Sequence, residues 1–136
     1  MGSHLNYKLY LFNEKECIEE NKKEIYKYMI NTSKNSCNQT FNNFVMFDLK
    51  DTNENQILSR FVFHACNIKG ERAGLFNDMI EMSRHFPEII FVVNCVIVEN
   101  SNDNWKDYYK NGKHIKCRGM GRHYNPFDKM LILSKD

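Results

Sequence analysis

A chain of 136 residues with a net charge of +2 has room for one domain and carries no overall charge that selects a partner. Its 42% apolar and 26% charged residues exclude a disordered or membrane-like composition, and two prolines with six glycines exclude collagen-like and linker-like sequence. The longest apolar run, residues 89–98, is interrupted by Asn94 and falls far short of the roughly 20 residues that cross a bilayer.

The first four residues, Met-Gly-Ser-His, have the look of an expression scar, which leaves 5–136 as a single α+β domain. Residues 7–12 (YKLYLF) form the first predicted strand. Asn13 with Glu16 three positions on reads as a helix start, and a helix is expected over 14–30 with Ile18, Ile25 and Met29 on its apolar face. Residues 31–43 are polar and aperiodic, a loop. Strands are expected at 44–49 and 57–65, joined into a hairpin by the polar turn 51–55. In the second of these, Ile57, Phe61, Phe63 and Ala65 share one side.

A second helix over 71–86 follows, with Leu75, Met79, Met82 and Phe86 at three- and four-residue spacing, stopped by Pro87. Residues 89–98 read as a central strand buried on both sides, whose Asn94 needs hydrogen-bond partners or a bend. After a polar turn at 100–104, strands at 105–110 and 113–117 flank Asn111-Gly112, the strongest short-range hairpin signal. Residues 118–126 are a loop and 129–133 a last strand. The order predicts a ferredoxin-like β-α-β-β-α-β sandwich, helices on one sheet face, with a hairpin and a C-terminal strand appended. The expected core is Leu9, Leu11, Ile18, Ile25, Val45, Phe47, Phe61, Phe63, Leu75, Met79, Phe86, Ile90, Val92 and Val96.

Chemistry is sparse. Cysteines at 17, 37, 66, 95 and 117 are odd in number and lack a CxxC, as expected of reduced thiols in a cytoplasmic protein. His64, Cys66, Cys95, His114, Cys117 and His123 supply nitrogen and sulfur, but their spacing matches no zinc pattern, and nothing marks one cysteine as an activated nucleophile. Glu99, Asp103 and Asp107 are the acids a small metal-dependent nuclease would use; a solvated loop wants the same residues. No phosphate-binding glycine motif occurs in a strand-to-helix context, so no cofactor and no enzymatic activity are expected.

The most pointed feature is 113–122, KHIKCRGMGR. Lys113, Lys116, Arg118 and Arg122 cluster there, and Gly119 and Gly121 allow close backbone approach to a ligand. Trp105, Tyr108 and Tyr109 lie on the preceding strand. Arginines beside aromatics are the residue mix of interface hot spots, which favours a host macromolecule as partner. The same residues would suit a nucleotide or nucleic-acid site, with the arginines on phosphate and a tyrosine on a base. An unadorned solvated hairpin is the plainest reading. Apolar sheet faces and strand edges also point to a homodimer.

Phe61-Val62-Phe63-His64-Ala65, then Met82-Ser83-Arg84-His85-Phe86-Pro87-Glu88-Ile89, then Glu99, Trp105 and Asn111-Gly112, resemble the YubB-type ferredoxin-like domain of plasmid and phage proteins. The resemblance covers about residues 57–116, and Cys66 and Asn67 stand where that family has tryptophan and a proline-rich turn. It implies no catalytic residue. It implies an accessory protein of a mobile element in a bacterial cytoplasm, binding a host protein or ribonucleoprotein, with inhibition of a defence system such as a CRISPR effector as a natural subclass.

Overall fold

The computed structural model describes residues 4–12, 14–34, 47, 53–69 and 73–118. The backbone forms strands β1 (His4–Leu11), β2 (Val62–Lys69), β3 (Phe91–Ile97), β4 (Asn100–Lys110) and β5 (Lys113–Arg118), and helices α1 (Glu19–Lys34), α2 (Glu54–Ser59) and α3 (Ala73–His85). This is an α+β fold built on one five-stranded antiparallel sheet of order β2-β1-β3-β4-β5. The expected strands at 44–49 and 129–133 lie outside the described residues, Phe47 apart, which is buried in the core. The sheet order therefore differs from a simple ferredoxin-like sheet. Beyond β3 it continues into the β4–β5 hairpin, and the pairing expected between 44–49 and 57–65 is not among the described strands.

Alternation along β1 puts Leu5, Tyr7, Leu9 and Leu11 on one face, where Ile25 and Met29 of α1 and Leu75, Met79 and Met82 of α3 cover them. Phe63, Phe91, Val93 and Cys95 complete that layer. Full burial of each such side chain contributes about 1.5–3 kcal/mol, so this side dominates stability. β3, third in an order of five, is buried on both faces at Phe91, Val92 and Val93, as its unbroken apolar run predicts. Both β2 and β3 run antiparallel to β1, so α3 carries the chain across β1 to a parallel position.

Several expectations are corrected. A 3₁₀ turn at Glu14–Glu16 precedes α1, which starts at Glu19. The Glu14 carboxylate accepts hydrogen bonds from the Phe61 amide (2.7 Å) and from Lys22 Nζ (3.1 Å), and Lys22 also reaches the Leu58 carbonyl (3.2 Å). That anchorage holds the turn off the helix axis. Ile18, the residue just before α1, accepts at its carbonyl from the amides of Asn21 and Lys22 and points outward, 58% exposed instead of in the core. α1 continues to Lys34, four residues into the expected loop. Residues 57–59 are helical, not strand: Asn53 and Gln56 form a reciprocal capping box (2.9 and 3.0 Å) that starts α2. Residues 100–104 belong to β4, not to a turn: Asn100 and Asn104 pair with Ile97 and Val96 of β3, and the irregularity between those two partners takes up residues 101–103. Phe86 and Val96, expected in the core, are half-buried, and Val45 lies outside the described residues.

Candidate macromolecule interface

Asn111 and Gly112 take φ of 47° and 79°, the left-handed pair that a two-residue hairpin turn demands. The turn is held from above: Ser83 of α3, fully buried, donates to the Ile80 carbonyl (2.7 Å) and accepts from the Gly112 amide (2.8 Å). This fixes the register, with Lys110 opposite Lys113, Tyr109 opposite His114, Tyr108 opposite Ile115 and Asp107 opposite Lys116. Parity then sorts the hairpin onto two faces.

On the helix side stand Trp105, Asp107, Tyr109, His114 and Lys116. Asp107 is 2% exposed, a burial that a carboxylate tolerates only when its oxygens are satisfied. Its Oδ2 accepts from the Trp105 indole N–H (3.2 Å), and its Oδ1 lies 2.8 Å from His114 Nε2, a hydrogen bond in which Nε2 donates when the carboxylate is ionised. Phe76 of α3 and Tyr109 each set a ring 5.0 Å from the imidazole. Lys116 Nζ caps the Trp105 ring at 4.6 Å. A buried carboxylate that orients an imidazole is a device used in general-base catalysis. Among the described residues the cluster fills the space under α3 with polar groups that pair with one another.

The opposite face is built from rows. Lys8 of β1, Asn94 of β3 and Lys106 of β4 are direct neighbours, with His64 of β2 beside Lys8. The next row is Tyr10, Val92, Tyr108 and Ile115. Beyond it come Phe12 and Ile90, joined by a backbone hydrogen bond of 3.0 Å, then Lys110 and Lys113. Ile90, Val92 and Tyr108 form a small second core with half-buried Tyr10, Phe12 and Ile115 against it. Burial pushes the Tyr10 hydroxyl above the usual tyrosine range. Asn94 Oδ1 is buried without a hydrogen-bond partner among the described residues, so of the two expectations for this residue, partners or a bend, the first is not met at that atom. No strand residue with a described side chain on this face is acidic, and no described carboxylate pairs with Lys8, Lys106, Lys110 or Lys113.

The residues singled out in the sequence are thus divided. Lys113 and Lys116 are exposed, on opposite faces. Trp105, Tyr108 and Tyr109 are 6, 3 and 2% exposed, so the hairpin's aromatics serve its own packing and do not offer open contact surface. Arg118 ends β5 opposite Trp105, while Gly119, Gly121 and Arg122 lie outside the described residues, as does His123. His64 and Cys95 are on opposite sheet faces and cannot share a metal. Among the described residues no group of three or more His, Cys, Asp or Glu could hold a metal ion. Of the three acids considered for a nuclease, Asp107 is committed to Trp105 and His114, Glu99 sits exposed in the turn before β4, and the Asp103 side chain is outside the described set. Burial, first, and then Glu14 and Glu16 raise the Cys17 thiol against an opposing effect of Lys22, the reverse of activation. No described helix is long and apolar enough to cross a membrane. Comparison with protein-family models, curated proteins and solved structures finds no match to this chain.

The far-face rows were missed in the sequence because they join residues of four strands. One signal was present: counting back from Asn111-Gly112 pairs Lys110 with Lys113 and sets Lys106 on their face.

Proposed function

We propose that this chain works by binding an anionic macromolecule through the β4–β5 extension and the sheet face it continues, with no reaction catalysed on the partner. The observation behind this reading is the row structure of that face: Lys8, Lys106, Lys110 and Lys113 with no acidic neighbour in the strands. Folding does not need four lysines on one face, and like charges there are mildly unfavourable without a partner. The resemblance to the YubB-type domain supplies a setting: a phage or plasmid accessory protein in a bacterial cytoplasm, with a host ribonucleoprotein such as a CRISPR effector as partner. The finer fold reading belongs here too. The antiparallel trio β2-β1-β3 with α3 crossing over β1 supports a ferredoxin-like core, which a strand at 44–49 beside β2 would complete. Self-association along the edge strand β5 fits the same reading, and light scattering that gives a monomer across the micromolar range would remove it.

The test is affinity capture from bacterial lysate, with and without nuclease treatment, using the full chain and a Lys110→Glu, Lys113→Glu variant. The wild type should retain a defined ribonucleoprotein and the variant should lose it. Equal retention by both, or none by either, overturns the proposal.

A further inference from the structure

We infer that the far face of the sheet is a platform for single-stranded nucleic acid; the inference rests on the binding reading above and names its substrate class. Two observations converge. First, the face is basic on both sides of an aromatic row. Lys8 and Lys106 lie on one flank, two strand spacings or roughly 10 Å apart, and Lys110 and Lys113 lie on the other. A backbone of phosphates running across the strands meets cations at either side of the bases. Second, the row between them holds Tyr10 and the buried Tyr108, and Phe12 stands in the row of Lys110 and Lys113. Tyr10 is half-buried with Lys8 Nζ 5.3 Å from its ring centroid, and half-buried Phe12 meets Tyr108 edge-on at 6.3 Å. Such rings stack on any base, which a duplex keeps hidden and a single strand exposes. Past Phe12 a groove of about 300 Å³ is lined by Glu16 and Glu88 together with Ile90 and Lys110, so Lys110 stands at a mixed-charge edge of the platform.

Fluorescence anisotropy with labelled twelve-nucleotide oligo(dT) and oligo(U), a duplex of equal length, and heparin as competitor tests this on the full chain. One or both single strands should bind more tightly than the duplex, the DNA and RNA arms showing whether the 2′-hydroxyl matters. Four neutralised phosphates set a slope of log K against log salt near −3, about −0.7 for each. Lys8→Gln or Lys106→Gln should flatten it by about 0.7. Tyr10→Leu and Phe12→Leu should each weaken binding about tenfold, while Lys27→Gln on α1 leaves it unchanged. Thermal melts check that each variant is folded. Ultraviolet cross-linking of the wild type, read by mass spectrometry, should label Tyr10 or Phe12 without any substitution. Cross-links confined to other faces, or a duplex and heparin bound as tightly as single strands with Tyr10→Leu silent, overturns the inference and leaves the broader reading standing. No oligonucleotide binding beside a lysate partner that survives nuclease has the same meaning. Failure of both the oligonucleotides and the lysate capture removes the two together.

Discussion

The two faces of this one sheet spend their side chains differently. The helix-covered face closes over Leu9, Phe91, Met79 and Met82, and where polar groups enter, at Asp107, His114 and Ser83, each finds a partner. The far face packs a small cluster around Val92, leaves Asn94 Oδ1 unmet and sets four lysines together. The helix-covered face is closed by packing within the chain, while the far face gathers like charges that folding does not use.

The contrast breaks first in the core. Phe91→Ala should cost about 4 kcal/mol in urea unfolding, since a large cavity opens beneath α1 and α3. Asp107→Ala strands the Trp105 and His114 donors and should cost about 3 kcal/mol, whereas Lys106→Ala, its neighbour on the other face, should stay within about 0.5 kcal/mol. Equal losses at 106 and 107 would erase the distinction between the faces. Ser83→Ala removes the acceptor for the Gly112 amide and should lose about 1 kcal/mol, with faster hydrogen exchange at Gly112 as the local readout. Asn53→Ala should cost about as much, roughly 1 kcal/mol, through the cap of α2.

The smallest effect is in alkali. Burial raises the hydroxyls of Tyr10, Tyr26 and Tyr28, Glu54 adding to it at Tyr26 and Glu81 and Asp78 at Tyr28 against a hydrogen bond to Thr32. The native state therefore keeps protons that the unfolded chain releases above the ordinary tyrosine value of about 10. Stability is intact below that pH and falls as pH rises through the raised values. Tyr10→Phe with Tyr28→Phe should make the fall shallower; superimposable alkaline curves would discount burial as its cause.

What could be read from the sequence is what local chemistry decides. Asn111-Gly112 makes its own turn, Pro87 stops α3, and the run Phe91-Val92-Val93 has only a central strand to occupy. What could not be read was set by distant partners. Ile57 shares its parity with Phe61 and Phe63, so alternation alone made residues 57–59 strand, although Asn53 and Gln56 already spelled a helix cap. The polar stretch 100–104 joins β4 because its two ends, Asn100 and Asn104, find partners in β3. Trp105 and Tyr109 looked like interface anchors until α3 was set above them. Ile18 kept the helical spacing and lost the helix, since a carboxylate four residues earlier was held by Phe61.

The fastening of the hairpin to α3 also has a mechanical meaning. Phe76 grips the strands through Tyr109 and His114, and Ser83 grips the turn, seven residues and thus roughly 10 Å further along the same helix. One attachment would be a pivot; two make a bracket, which resists rocking and twisting together. A plate held this way enters an encounter already in shape and gives up little motional freedom on docking. Loosening the bracket, without touching any lysine, should therefore slow association as well as hasten release.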